Sequence, residues 1–388
     1  MSASAFHAVV IGAGSTGAAT AHDLALRGLH VTVIERGEVA SGTTGRNHCL
    51  LHSGARYAVN DPVSAKECIE ENLILRQIMP EALELNGGFM VAVDEEDEVF
   101  KETFLEACAQ VGIPAQEIPV REACALEPHL SPDVRAVVCV PDGVFEPFRF
   151  CLSFLATAKA NGARVRTHCE VIGIDTAAGA VQGVVVRDRR KGCVERIAAD
   201  VVINAAGPWA GQVAQLAGCD VPVVPVAGVM VSVPRRLNRR VIHRLHLPGD
   251  GDILVPQRLT SLLGTSSWTV ANPDAIDIPA DHVQRMYEQT ARMVPAVRRW
   301  QPRGVWASAR PLIGSAKLAD GRSLSRTFAA FDHARDGVEG FVTISGGKTV
   351  TARAMAEKVS DLVCHKLGVA APCRTRQVRL CSHRAYYD

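Results

Sequence analysis

The sequence predicts an α/β fold of two domains, one with buried parallel strands and a second built on an antiparallel sheet. Three observations predict it. Residues 6–36, FHAVVIGAGSTGAATAHDLALRGLHVTVIER, read as strand, glycine turn, helix, glycine stop and second strand. Another buried strand ending in small residues follows at 199–207, ADVVINAAG, and a strand, Gly346–Gly347 turn and long helix close the pattern in GFVTISGGKTVTARAMAEKVSDLVCHKLG. Between these units the β-branched, apolar run 221–233 continues through 252–255 and 261–266, as expected of an antiparallel sheet.

In chain order, the first unit carries the most chemistry. Gly12, Gly14 and Gly17 have GxGxxG spacing: the first permits the tight turn, the second lets backbone approach a pyrophosphate, and the third lets helix pack on strand. The unpaired N–H groups and dipole of the helix at 15–27 attract phosphate through Ser15 and Thr16. Glu35, 18 residues past Gly17, ends the second strand where a carboxylate accepts hydrogen bonds from an adenosine ribose. Such a motif is weak in isolation, but here the strand, the helix and the acid are all in place.

A 21-residue loop after Arg36, GEVASGTTGRNHCLLHSGARY, is dense in Gly, Ser, Thr, His and Arg. A loop of that length inside a compact domain is usually functional. Residues 62–79 read as a helix closed by Pro80, with Leu73, Ile74, Gln77 and Ile78 expected to form its mainly apolar face. Short strands and helices from 86 to 143 open the second domain, and 147–162 return to a helix with proline near its start and glycine at its end. Strands are expected at 164–167, 170–175 and 181–187. Small residues at Ala205, Ala206 and Gly207, before Pro208 and Trp209, let a ligand lie against backbone and form a second wall of the dinucleotide site. A helix at 281–293 closes the second domain.

Composition excludes several classes. A formal charge of +1 gives no reason to expect nucleic acid binding, and a hydrophobic fraction of 47% supplies ample core for 388 residues in two domains. The amino end enters the first strand within a few residues, which leaves no room for a signal peptide, and no window approaches the ~18 uninterrupted apolar residues of a membrane span. A cytoplasmic protein is expected, with peripheral docking at the inner membrane face left open. Among twelve cysteines the nearest pair, Cys373 and Cys381, is eight apart and no CxxC occurs, so reduced, mostly buried thiols and no metal site are expected.

Together the GAGSTG turn, Glu35, SGTTGRN, LLHSGARY, NAAGPW, ARPL and SGGKTVTAR resemble the flavin-dependent D-amino-acid-oxidase-like superfamily. Within it they are similar to the large subunits of anaerobic glycerol-3-phosphate dehydrogenases. The likeness runs from Ala8 to about Cys373 and includes stretches such as RYAVNDPVSAKECIEEN. It implies non-covalent FAD, an interrupted Rossmann-type FAD-binding domain (1–85, 144–217 and 304–388) and a substrate domain (86–143 and 218–303). It also implies that Arg36, Thr43, Thr44, Arg46, Asn47, Leu51, His52, Ser53, Val171, Trp209, Arg310, Gly346, Gly347, Lys348 and Thr349 join the glycine turn, Glu35 and Ala205–Gly207 in holding the cofactor.

The expected reaction is oxidation of sn-glycerol 3-phosphate to dihydroxyacetone phosphate, with electrons passed to a quinone or a partner protein. Flavin chemistry needs the donor C–H over N5, a hold on the substrate's charged end and stabilisation of negative charge at flavin N1 and the C2 carbonyl. N–H groups of 346–349 and the Lys348 cation suit the last task. Arg56, Arg310 and Lys348 suit an anionic substrate, because the arginine fork matches phosphate or carboxylate; the resemblance adds Arg326. The base is His52, or its rivals His243 and His246 in VIHRLH; His52 could instead position the flavin alone.

Two departures from the family pattern matter. The family continues into a cysteine-rich carboxyl-terminal domain, whereas this sequence stops at Asp388, so flavin reoxidation is expected to proceed without it. Ala227 in VPVAGVMV stands where a basic residue is usual, and one charge-assisted hydrogen bond is worth ~1.5–3 kcal/mol, about 10- to 100-fold in affinity. An FAD-dependent 2-hydroxy-acid dehydrogenase (the HSGxxY-like loop is similar to that of L-2-hydroxyglutarate dehydrogenases) or amino-acid oxidase is therefore an alternative, as is a catalytically silent flavin-binding subunit.

Overall fold

The structure, a computed structural model, describes residues 6–314, 324 and 326–388; MSASA at the amino end and Ser325 of LSRTF lie outside the described residues. One sheet runs in the order Phe328–Asp332, Phe341–Gly346, Val201–Asn204, His7–Ile11, His30–Ile34 and Arg164–Arg166, parallel throughout except at the edge strand Phe328–Asp332. Val10 lies opposite Val33 on one side and Ile203 on the other. The four inner strands are apolar runs because both faces of the sheet are covered there.

On one face, the helix Ser15–Leu26 packs between the helices Pro147–Ala160 and Ala352–Lys366. Ala18, Ala19, Ala21 and Ala25 are buried, and residues this small let three helices approach closely. On the other face lies an antiparallel three-stranded sheet, Cys169–Ala177, Ala180–Asp188 and Val194–Ala198, with Ile174, Val184 and Val186 packed against Val9, Ile34 and Val202.

Among the described residues the second sheet has nine strands. Its path is Trp268–Thr269, Val223–Val233, Thr260–Gly264, Ile253–Gln257, Val241–Arg244, Gly88–Ala92, Ala136–Val140 and Gln116–Ile118, with Gly304–Ile313 paired to Val223–Val233. Its pairings are antiparallel except that Val241–Arg244 runs parallel to Gly88–Ala92, since the chain passes back through the first sheet between them. Residues 304–313, assigned from the sequence to the cofactor domain, are a strand of this second sheet, with Arg310 opposite Val226. A small sheet of Leu50–Leu51, Gly143–Phe145 and Leu83–Glu84 joins the functional loop to both halves.

The helix Pro62–Ile78 corrects one expectation. Leu73 is 50% exposed, and the buried face is instead Ala65, Cys68, Ile69, Glu71, Asn72, Leu75 and Ile78. Glu71 and Asn72 can occupy that face because each is paired. Glu71 meets the fully buried Arg353 at 2.5 Å, and Asn72 Nδ2 donates to the His52 carbonyl at 3.0 Å. A pattern read from apolar residues alone misses a face held by partnered polar groups.

Candidate active site

The first turn is a backbone cradle. Gly12 has φ +103°, and a Cβ on Gly17 would lie 1.9 Å from the Gly12 carbonyl oxygen, so strand and helix can meet only without side chains there. A Cβ on Gly14, by contrast, would meet only Thr44 Oγ1, at 3.1 Å. Its open side faces a cavity. The helix that follows has Gly14 as its N-cap and no acid in its first turn, so its positive dipole end is open to an anion, but the Ser15 N–H expected to meet phosphate is spent on Thr44 Oγ1 at 3.1 Å. Glu35 is held at the cavity edge, its two oxygens accepting from Ala13 N–H at 2.9 Å and Gly37 N–H at 2.8 Å.

The early and late turns converge on that cavity, of about 1010 Å³. It is lined by Gly12, Gly14, Ser15, Thr16, Glu35, Arg36, Thr43, Thr44, Arg46, Asn47, His52, Arg56, Val171, Ala205, Ala206, Gly207, Trp209, Arg310, Arg326, Gly346, Gly347, Lys348 and Thr349. Direct bonds tie the two ends of the chain together. Asn47 Nδ2 donates to Thr44 O at 2.8 Å and Thr349 Oγ1 at 3.3 Å, and Thr16 Oγ1 lies 3.7 Å from Met355 Sδ. Thr43 Oγ1 donates to the Ala309 carbonyl at 2.6 Å, which fixes the functional loop to the second sheet.

One end of the cavity is cationic. Arg56 Nη2 pairs with Asp252 at 2.8 Å and reaches the Gly249 carbonyl at 3.2 Å, while its buried Nη1 has no protein partner among the described residues. Arg310 donates to the Val226, Ala227 and Ser266 carbonyls at 3.2, 2.8 and 2.9 Å. Burial, then the charges of Arg326 and Arg56, disfavour the Arg310 cation, so a bound anion would relieve it. Lys348 Nζ bonds Ser64 Oγ and the Arg326 carbonyl and sits 4.5 Å from the centre of the Tyr57 ring. The His52 ring lies 5.6 Å from that of His48 and 5.4 Å from that of Tyr57. Burial, then the charges of His48 and Lys348, hold His52 well below the ordinary histidine range, and burial with Arg56 lowers His48 to about 3. Both imidazoles are neutral at pH 7.

Five residues named from the sequence lie outside the cavity lining. Gly17 acts through helix packing, and Leu51 is fully buried in the core behind the loop. The Ser53 N–H donates to Asp142 at 2.7 Å, and His243 Nε2 meets the other Asp142 oxygen at 2.8 Å, so both serve a buried anchor. Burial alone would raise the Asp142 carboxyl, but the hydrogen bond and charge of His243 and the bonds from Ser53 outweigh it. His246 lies 3.4 Å from Asp252, behind Arg56. Of the three histidines proposed as base, only His52 reaches the cavity. Two of the N–H groups assigned to flavin stabilisation are also spent within the protein: Gly347 N–H on Thr327 O at 2.9 Å and Lys348 N–H on Thr351 Oγ1 at 3.0 Å. Ala227 is fully buried and absent from the lining.

Sequence reading missed His48, Tyr57, Gly249 and Asp274 in the cavity wall. His48 and Tyr57 were within reach, since they flank His52 and Arg56 in the same loop. Asp274 carried no local signal: it pairs with Arg36 at 2.6 Å from the segment after the edge strand Trp268–Thr269, and the Arg36 guanidinium lies 4.2 Å from the Trp209 ring.

A glycine cradle at a helix start, a carboxylate held at the cavity edge and a second sheet closing over the far end are the arrangement of a dinucleotide-dependent oxidoreductase. The chain belongs to the family of FAD dependent oxidoreductases (DAO), whose model matches residues 7–353. It is 43% identical over 380 residues to the A1 subunit of the anaerobic glycerol-3-phosphate dehydrogenase of Haloferax volcanii, covering 95% of this chain and 65% of that one. It is 40% identical over 375 residues to the corresponding subunit of the Escherichia coli K12 anaerobic glycerol-3-phosphate dehydrogenase, covering 96% and 69%. The chain thus spans about two thirds of the length of these relatives. Among solved structures, the glycerol-3-phosphate dehydrogenase of Bacillus halodurans complexed with FAD matches with a TM-score of 0.75 at 23% identity, covering 97% of this chain and 67% of that one. Glycine oxidase of Geobacillus kaustophilus matches at 0.74 and 20% identity, covering 93% and 95%. These two likenesses concern the fold. The family's cofactor is FAD, and the open side of Gly14, the helix start and the Glu35 carboxylate fit its diphosphate and ribose.

Proposed function

We propose that this chain is an FAD-dependent dehydrogenase that oxidises sn-glycerol 3-phosphate to dihydroxyacetone phosphate. The observation that carries the reading is the convergence of Arg56, Arg310, Arg326 and Lys348 with the neutral ring of His52 at one end of the cavity, in a chain 40–43% identical to relatives named for that reaction. Arg56 Nη1 supplies a buried donor for the phosphate, and Arg310 and Arg326 share its charge. His52, uncharged, offers a ring nitrogen to take the proton from the secondary hydroxyl. When bound, FAD would supply the redox chemistry by taking up the hydride that the hydroxyl-bearing carbon loses. Loss of a hydride and a proton leaves the ketone.

Electrons then pass to a quinone or a partner protein; the relatives' names as subunits support a partner. No helix among the described residues is long and apolar enough to cross a membrane. A 2-hydroxy-acid donor is the second reading, because the same arginines would hold a carboxylate. Anaerobic mixing of the purified yellow protein with each compound decides between them. Bleaching by glycerol 3-phosphate at lower concentration than by L-2-hydroxyglutarate or lactate is expected; reduction by a hydroxy acid alone would overturn the proposal.

A further inference from the structure

Behind the cavity wall, three donors of different chemistry meet: the thiol of Cys219, the imidazole of His333 and the carboxylate of Asp336. One ligand-forming atom from each lies within 4.8 Å of the other two. Cys219 follows the helix Ala210–Gln215, and His333 and Asp336 open and close the single turn His333–Asp336. Cys219 and His333 are each 1% exposed, whereas the Asp336 side chain is 47% exposed and gives the cluster a face to solvent.

The imidazole is held in place by its own surroundings. Its ring stacks on Phe341 at 4.7 Å with an interplanar angle of 22°, and Nε2 lies 2.9 Å from Thr343 Oγ1. That oxygen in turn accepts from Asn204 Nδ2 at 3.2 Å. Nδ1 is thereby left facing Asp336 Oδ2, 2.6 Å away. A ring oriented through one nitrogen with the other facing a carboxylate is the arrangement metal-binding histidines use.

We propose that Cys219, His333 and Asp336 form a binding site for a divalent transition-metal ion, zinc above all, with water as the fourth ligand. Sulfur, nitrogen and carboxylate oxygen are the donor set zinc takes, and around a tetrahedral ion such donors lie roughly 3–4 Å apart. Closing the observed cluster to that spacing asks for side-chain shifts of only about 1 Å. The ion takes the place of the proton between His333 Nδ1 and Asp336 Oδ2, which is regained on Nε2 by tautomer exchange, and the Cys219 thiol proton leaves to water. The imidazole then carries its proton on Nε2 and donates it to Thr343 Oγ1. A thiolate and a carboxylate balance the two charges of the ion, so the buried site carries no net charge. The spacing of cysteines along the chain hides this site, because the fold brings Cys219 to His333 from a distant segment. The same network reaches the cofactor wall, since Asn204 Oδ1 accepts the Ala206 N–H at 3.2 Å.

The test uses the reduced, FAD-loaded protein, stripped with a chelator and desalted. Titration with zinc alone should show one tight equivalent and raise the melting temperature. Cobalt should give thiolate-to-metal charge-transfer absorption. Cys219→Ala should abolish that absorption, and both it and Asp336→Asn should weaken zinc binding by about tenfold or more. Asp336 is half exposed, so its variant tests the site even if Cys219→Ala folds poorly. Absence of a stoichiometric zinc site, or equal affinity in the wild type and Asp336→Asn, would overturn the proposal.

Discussion

The Arg56 guanidinium and the Asp252 carboxylate lie 2.8 Å apart with side chains only 6% and 2% exposed. They join the functional loop of one half to the second sheet of the other, at the cationic end of the cavity. Removing one partner from such a pair strands a buried charge, at a cost of ~3–5 kcal/mol. Arg56→Ala should therefore lower the melting temperature by several degrees as well as weaken the hold on an anionic donor. The double variant Arg56→Met with Asp252→Leu should recover most of the stability and none of the binding. Calorimetry and anaerobic titration with glycerol 3-phosphate separate the two effects.

Asp252 also sets an acid limit. Burial raises its carboxyl, but the charge of Arg56 and the hydrogen bonds from His246 and Arg56 prevail and bring it from 3.8 to about 2. Its folded value lies below its unfolded one, so its contribution is complete above pH 4 and disappears as pH falls through 2. That contribution is about 2 kcal/mol. Urea midpoints of wild type should fall more steeply between pH 4 and pH 2 than those of Asp252→Asn.

Two glycines of one motif should fail differently. Gly14→Val adds a side chain whose Cβ meets only Thr44 within the protein and which intrudes on the cavity, so the variant should fold and purify colourless. Gly17→Ala drives a methyl group to 1.9 Å from the Gly12 carbonyl and should not yield folded protein. Circular dichroism and flavin absorbance read both outcomes.

His52→Ala should slow anaerobic flavin reduction by 10²- to 10⁴-fold, the usual contribution of a positioned base. Because the ring sits well below its ordinary value through burial and its cationic neighbours, it is already deprotonated across the neutral range. Reduction by glycerol 3-phosphate at low concentration should accordingly show no histidine limb between pH 6 and pH 8. A limb near 6.5 in wild type that vanishes in His52→Ala would contradict this.

Arg310→Lys should act on binding more than on chemistry. Lysine cannot bridge the three carbonyls that Arg310 spans, so the cation would leave its place. KM for glycerol 3-phosphate should rise about 10- to 100-fold with kcat little changed. Unchanged kinetics would remove Arg310 from the site.

Local sequence was enough for the cradle. Gly12, Gly14, Gly17 and Glu35 act through backbone conformation and strand-to-strand spacing, which are determined within some thirty residues, and the late Gly346–Gly347 turn is equally local. His52, Arg56, Arg310 and Lys348 could be picked out because their chemistry is rare inside a core. What the chain order could not reveal is which distant groups meet them. Asp252 beneath Arg56, Asp274 on Arg36, Asp142 on His243 and Glu71 on Arg353 are all long-range electrostatic partnerships. Each exists only because two sheets and their covering helices pack in one arrangement, where low dielectric makes a buried charge depend on a neighbour that no sequence period announces.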